Sequence, residues 1–423
     1  MKLQTAKGVK DITREEKSRK NSIVETLKEV FTLYGFAPLE TPLIERYETL
    51  AAKFAAGGVS DALKEIFTLK DQGGRKLGLR FDLTVPLARF IATNPTLKLP
   101  FKRYEIGSVF RDGPIKTGRM RQFWQCDVDT VGSSSLLADA EIISVAQTAF
   151  NKLKLDVMIK VNNRKILNGV LTQAKIEKKE EAIIALDKLD KIGKDGVSKE
   201  LKEKGYSTKQ VNSLFSLVDE NITLAQLKSK LRDEEGLQGI QELEELFSYL
   251  RQMGVKKAKF DVSLARGLAY YTGTVFEVFS KDGKITSSLA AGGRWDAMIG
   301  KFAGGGRKIP AVGISFGIVP IMETLNKTEL KDMGTAKVYI LPINTTSKAL
   351  TLIQQLREAG ITADFSLGKK GVTKNLQYAN AMGIPYVLIL GEKEVAKNKF
   401  LLRDMDSGKE SLLSLQTVIK RLK

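Results

Sequence analysis

Apolar positions recur every three to four residues between 16 and 34. Ile23, Leu27, Val30, Phe31 and Tyr34 fall on one helical face, and Gly35 closes the run. The spacing predicts a helix there. FAPLETPLIE (36–45) reads as extended, with Pro38 and Pro42 suiting an edge strand. Residues 67–90 alternate around a DQGG turn, and Pro86 opens a helix with LARFIA. The stretch 101–132, FKRYEIGSVFRDGPIKTGRMRQFWQCDVDTVG, predicts two strands joined by a loop at 112–118. Residues 136–153 return to helical spacing.

Residues 174–253 differ from their surroundings. They are charged, almost free of aromatics and helically periodic, with Leu237, Ile240, Leu243, Phe247 and Leu250 in one stripe. This predicts a helical insertion at about 174–255. Strand-like sequence resumes at 258–290, followed by a glycine-rich stretch (291–306) and a core segment (309–325). Beyond Met333–Gly334, KVYILP, ITADFS and IPYVLIL alternate with helical stretches at 346–359 and 371–382. That βαβαβ order predicts a small α/β domain with a mostly parallel sheet. The expected organisation is one domain over 1–330, carrying the insertion, and a second over 334–423.

Composition narrows the chemistry. The 423 residues contain one cysteine and no histidine. Ser-His-Asp and Cys-His pairs, HExxH helices and His-ligated metals are excluded, as are internal disulfides and CxxC zinc sites. The remaining agents are carboxylates, Arg and Lys, Tyr, backbone dipoles and hard cations such as Mg²⁺. Lys and Arg number 68 against 49 Asp and Glu, a formal charge of +19. Such an excess suits a polyanionic partner, nucleic acid first, or a solubilising surface. Residues 337–423 hold 14 Lys and Arg against 7 Asp and Glu. No apolar run spans a bilayer and the start is too polar for a signal peptide, so a soluble cytoplasmic protein without membrane association is expected.

Three clusters carry candidate chemistry. On a strand, Arg119, Arg121, Phe123, Gln125, Asp127 and Asp129 share one face. Guanidinium forks with an aromatic plane suit a nucleotide, phosphate on the forks and base on the ring. A salt-bridged surface hairpin is the plainer alternative. LARGLAYYTGTVFEV (264–278) joins Arg266 to Tyr270 and Tyr271, a set able to meet a phosphate or carboxylate and a polar substrate; ordinary strand packing is the other reading. AGGRWDAMIGKFAGGGRKIPAVGISFG (291–317) allows close backbone approach but has neither GxGxxG nor P-loop spacing.

Taken together, these segments resemble the histidyl-tRNA synthetases, a class II aminoacyl-tRNA synthetase family, over nearly the whole chain. ETPLIE looks like the motif 1 strand with its dimer-interface proline, Pro42. SVFRDGPIKTGRMRQFWQCDVDTVG looks like motif 2. ARGLAYYTGTVFE and AGGRWD resemble signatures of the histidine enzymes, and the segment from Lys337 is similar to a class IIa anticodon-binding domain. The implied fold is an α+β catalytic domain with an antiparallel sheet, a helical insertion and a C-terminal α/β anticodon-binding domain. The implied activity is ATP- and Mg²⁺-dependent activation of L-histidine and its transfer to histidine tRNA by a homodimer.

The resemblance also implies roles. Arg111 would hold the ATP α-phosphate and the substrate carboxylate, and Arg266 would approach the same phosphate, making these two the catalytic pair. Phe123 would stack on adenine, with Arg119 and Arg121 on the nucleotide. Asp82 and Thr84 would bind the α-ammonium, and Gln125 the carboxylate side. Asp129 and Tyr271 would bracket the imidazole nitrogens, with Tyr270 beside them. The chain departs from the family pattern at Met120, Ala269, Trp295 and Pro320. Pro320 stands where motif 3 places a γ-phosphate arginine; either Arg294, Arg307 or Arg119 substitutes, or ATP binds with less help. Catalytically silent relatives make a regulator that binds histidine or tRNA the alternative expectation. The C-terminal domain and the lack of a kinase signature weigh against it.

Overall fold

The computed structural model describes residues 3–52, 61–115, 120–219, 221–265, 270–283, 285, 287–303, 308–325, 336–368 and 371–423. The chain divides into two compact units, Met1–Thr13 with Arg19–Leu330, and Arg14–Ser18 with Lys331–Lys423. Among the described residues, no helix is long and apolar enough to cross a membrane.

The larger unit is built on an eight-stranded sheet. Its order is Ala37–Pro38, Phe101–Phe110, Gln122–Val131, Ala311–Gly317, Ala290–Arg294, Thr274–Ser280, Val157–Asn163 and Ala258–Phe260. Only the two outermost pairings are parallel. The two ten-residue strands pair in register Arg103↔Asp129, Glu105↔Asp127 and Gly107↔Gln125. Asp127 and Asp129 face Ser315 and Gly313 on the other side.

The two faces of this sheet have different fates. Cys126 and Val128 point into the apolar core, which includes Ile23, Leu27 and Phe31 of the helix Arg14–Leu33 and Phe150 of the helix Leu136–Lys152. Phe316 lies 5.6 Å from Phe31 and 5.7 Å from Phe150, ring centre to ring centre. Strand alternation then sends Gln125, Asp127 and Asp129 to the opposite face. That face carries the polar cleft.

FAPLETPLIE is not one strand. Ala37–Pro38 pairs with Phe101–Phe110, whereas Ile44–Arg46 joins a separate three-stranded sheet with Thr68–Lys70 and Lys76–Leu79. The two prolines interrupt the ladder between them, because proline offers no N–H. The DQGG turn forms as read: Gly74 N–H bonds the Asp71 carbonyl and has φ +76°. The helical stretch holds helices Lys179–Leu186, Leu189–Glu203, Thr208–Leu217, Leu224–Lys230 and Glu234–Gln252. Its Val211, Leu214, Ile240, Leu243 and Leu250 belong to the same core as the large sheet.

In the smaller unit the sheet order is Ala363–Phe365, Val338–Pro342, Tyr386–Leu390, Phe400–Asp404, Glu410–Leu413. The first three strands are parallel. The last two form an antiparallel hairpin that the sequence reading did not contain. Apolar side chains fill both faces, Ile340 and Leu388 on one, Tyr339 and Val387 on the other.

Candidate active site

A cleft of about 210 Å³ opens on the polar face of the large sheet. It gathers Asp82, Thr84, Arg111, Gln125, Asp129, Tyr270 and Tyr271, which the sequence reading singled out from four separate stretches. Asp82 and Thr84 stand at the start of the helix Thr84–Thr93, where Asp82 Oδ1 accepts the Val85 N–H at 3.0 Å. Gln125 Nε2 donates to Ser315 Oγ at 2.9 Å. Arg111 leaves the end of its strand at the rim. Its Nε donates to the Phe81 carbonyl at 3.1 Å, and its guanidinium lies 5.1 Å from the Phe123 ring centre. Phe123 thus flanks Arg111 without lining the cleft itself.

Two glycines fix the spacing of Asp129 and Tyr271. Gly293 and Gly313 are register partners on neighbouring strands. A Cβ on Gly313 would lie 1.9 Å from Asp129 Oδ1, and one on Gly293 would lie 2.9 Å from the Tyr271 ring. Each side chain therefore rests on a glycine, and the two glycines are partners on neighbouring strands. The Tyr270 hydroxyl donates to that of Tyr271 at 3.4 Å.

Behind the cleft runs a buried ion network. Arg80 Nη1 bonds Glu105 Oε1 at 2.7 Å and the Thr41 carbonyl at 2.7 Å. Its guanidinium occupies the space a side chain at 107 would need, since a Cβ on Gly107 would lie 2.1 Å from Nη2. Arg103 is fully buried. It donates to the Leu83 carbonyl at 3.0 Å and pairs with Asp129 Oδ2 at 3.0 Å and with Glu105 Oε2 at 3.5 Å. One guanidinium thus ties the segment after Asp82 to Asp129. Burial pushes the Asp129 carboxyl up to about 6, against the pull of Arg103, with Glu105 and Asp82 adding repulsion. Burial raises Asp127 further, to about 8; Arg103 and the Ser315 hydroxyl oppose this, and Asp129 and Asp82 reinforce it.

Other expected residues lie elsewhere. Arg121 is not among the cleft residues. Its Nη1 pairs with Asp112 at 2.8 Å and its Nε donates to the Gly113 carbonyl at 3.2 Å, so it ties together the two ends of the loop. Residue 121 precedes the strand, which begins at Gln122, so strand alternation does not carry it onto the Phe123 face. Arg294 does not face the cleft either. It crosses to Asp139 and to the carbonyls of Ser133 and Ser135, beside a second cavity of about 480 Å³. Pro320 sits in the first turn of the helix Ile318–Thr324, where proline is tolerated. Arg119, Arg266, Ala269 and Arg307 lie outside the described residues.

The cleft also contains Asp127, which the sequence reading placed on the candidate face without giving it a role, and Glu65, Phe81, Trp295, Gly313 and Ser315, which it did not assign to the site. Period-two alternation from Gln125 to Asp129 carries Asp127 onto the same face, a usable signal. Glu65 had none. It arrives from a distant segment through Asp112, whose N–H bonds the Glu65 carbonyl at 2.7 Å.

Residues 8–321 match the histidyl-tRNA synthetase family, and residues 337–423 match an anticodon-binding domain. Histidine–tRNA ligase 1 of Bacillus cereus is 44% identical over 424 residues, covering 99% of this chain and 97% of that protein. The crystal structure of histidyl-tRNA synthetase from Nostoc superposes with a TM-score of 0.86 at 32% identity, covering 100% of this chain and 99% of that one. A Bacillus halodurans structure described as an ATP phosphoribosyltransferase regulatory subunit/histidyl-tRNA synthetase shares the fold at a TM-score of 0.76 and 24% identity. It covers 89% of this chain and 97% of that one. On these matches and the class II architecture beneath them, the chain belongs to the histidyl-tRNA synthetase family.

Proposed function

We propose that the chain activates L-histidine with ATP to histidyl-adenylate and transfers the histidyl group to the 3′ end of histidine tRNA. One observation supports placing the amino acid in this cleft: a buried carboxylate, Asp129, and Tyr271 line it together with Arg111, the first two each resting on a glycine of neighbouring strands. An imidazole ring needs polar partners at two opposed nitrogens, and this pair offers an acceptor and a hydroxyl. A site so built rejects analogues that leave its buried groups unpaired by about 10⁴-fold or more, without editing.

The first step is in-line attack of the histidine carboxylate on the ATP α-phosphorus, with pyrophosphate leaving. It requires positioning and cations where charge develops, and no general base. Arg111 is assigned to the α-phosphate and the substrate carboxylate, and Phe123 beside it to adenine. Asp82 and Thr84 take the α-ammonium, and Gln125 the carboxylate side. Arg266 and Arg119 keep the roles the resemblance implies. Arg121, which pairs with Asp112 and the Gly113 carbonyl, is assigned to holding the ends of the motif 2 loop beside the nucleotide site. Mg²⁺ would enter on the ATP phosphates. A homodimer in the cytoplasm is part of the same reading; exposed Leu33, Leu43 and Ile44 around motif 1 supply apolar surface for a partner subunit.

Histidine-dependent ATP–pyrophosphate exchange tests the assignment. Asp129→Ala is expected to abolish exchange while ATP binding survives. Retained histidine-dependent exchange in that variant refutes the placement.

A further inference from the structure

The cleft holds more acid than base. Facing Asp127 are Arg103 and Glu105 from the strand Phe101–Phe110, Asp129 from its own strand and Ser315 from the strand Ala311–Gly317. Asp82 faces it from the start of the helix Thr84–Thr93, and Glu65, Arg111, Tyr270 and Tyr271 stand around the opening. The thiol of Cys126 lies beneath the sheet and is held neutral by burial. Arg80 is committed to Glu105 and Thr41, and Arg103 to Glu105, Asp129 and the Leu83 carbonyl. Asp127 is only 3% exposed. Among the described residues it makes no ion pair, and its Oδ1 has no hydrogen-bond partner. A buried oxygen of this kind, lining a cleft, is a group waiting for a ligand.

We infer that Asp127 is a second carboxyl reading the histidine ring, and that the pocket holds a single proton which Asp127 and the bound imidazole share. The inference rests on the histidine reading above and adds a specificity residue to it. Neutral acid with neutral imidazole, and carboxylate with imidazolium, carry the same number of protons. Asp129 accepts the N–H of one ring nitrogen, and Asp127 shares its proton with the other, the nitrogen that the Tyr271 hydroxyl also faces. Passing that proton from Asp127 Oδ to the nitrogen breaks one O–H bond, makes one N–H bond and changes no net charge. Either form leaves Arg103 balancing Asp129, and neither strands an uncompensated charge in the interior.

The consequence is a proton-linked binding profile. Below a pH of about 6.5 free histidine carries imidazolium, and binding must release a proton. Asp127 in the ligand-free site titrates near 8. Above that value it has lost its proton, so binding must take one up. Affinity therefore falls by up to about tenfold per pH unit on either side of this window. The α-ammonium of free histidine adds an alkaline loss of its own, common to wild type and variants.

The test is titration calorimetry of L-histidine against wild type and Asp127→Asn from pH 6 to 9.5, with ATP binding as the control for an intact site. The amide cannot ionise. The ratio of wild-type to variant Kd is expected to be flat to about pH 7.5 and to rise about tenfold per unit above 8. A constant ratio with ATP binding preserved overturns the inference. Should Asp127→Asn fail to bind ATP, wild type alone decides, through titrations at pH 8.5 in buffers of different ionisation enthalpy. Proton uptake beyond the fraction owed to the ligand α-ammonium supports the inference, and uptake equal to that fraction refutes it. If histidine does not bind wild type at all, the histidine reading fails and this inference with it. Binding with a profile indifferent to Asp127 removes the inference alone.

Discussion

At the scale of single residues, the site is shaped as much by missing side chains as by present ones. Gly313 has no atom where a Cβ would meet Asp129 Oδ1 at 1.9 Å. Gly313→Ala is therefore expected to push the carboxylate off Arg103 and away from Tyr271. The expected result is a rise of tenfold or more in the KM for histidine with little change in that for ATP, measured by pyrophosphate exchange. Overpacking of this kind also costs about 1–3 kcal/mol of stability. An unchanged histidine KM refutes the bracket formed by Asp129 and Tyr271. The two aspartates carry a stability cost of their own. Their folded-state carboxyls titrate near 6 and 8, above the ordinary value of about 3.9. As pH rises from about 4 the unfolded chain gives up these protons while the folded one keeps them. Their contribution to stability therefore declines across that window and levels off above 8. The pocket keeps its acids at the expense of the fold.

At the scale of elements, Arg294 explains how the sheet is tied to the helix beneath it. It ends the strand Ala290–Arg294 and reaches Asp139 in the first turn of the helix Leu136–Lys152, together with the carbonyls of Ser133 and Ser135. Asp139 is fully buried, so Arg294→Met leaves a carboxylate without its counter-charge. That is expected to cost about 3–5 kcal/mol in urea denaturation, most of it recovered in the double variant Arg294→Met, Asp139→Leu. If Arg294 instead served the ATP phosphates, the single variant would raise the KM for ATP with stability nearly unchanged. The same element shows what the sequence could reveal. Apolar spacing was enough for the helix Arg14–Leu33 and the paired strands Phe101–Phe110 and Gln122–Val131, because each has one apolar face and a defined turn. It failed for 36–45, where the two halves join different sheets, a tertiary choice that no local pattern encodes. It missed the hairpin Phe400–Leu413, whose strand sequences FLLRD and ESLL run apolar and polar residues in blocks rather than alternating them, although the folded strands alternate in burial. In the site, motif resemblance located Asp82, Arg111, Asp129 and Tyr271. Glu65 and Ser315 became visible only when the chain brought distant strands together.

At the scale of the whole molecule, two facts fit one reaction. The chain contains no histidine, and adenylate formation by positioning and cations needs none. The excess of 19 positive charges suits a polyanionic second substrate. Residues 337–423 match the anticodon-binding domain and are basic in their own right, with 14 Lys and Arg against 7 Asp and Glu. Phosphate contacts release counterions, so log affinity falls linearly with log salt, with a slope of about 0.7–0.9 per phosphate neutralised. Removing residues 334–423 is therefore expected to weaken binding of histidine tRNA and to make its salt dependence shallower. Histidine-dependent pyrophosphate exchange involves no tRNA and should persist, since the larger unit has its own core and contains the whole described cleft. Filter binding of tRNA to full-length and shortened chains between 50 and 200 mM salt, about the range over which such slopes are resolved, measures the first expectation, and exchange on the same samples measures the second. If the slope is unchanged while affinity falls, the lost contacts are to bases rather than phosphates. If neither changes, the basic C-terminal unit does not bind the tRNA.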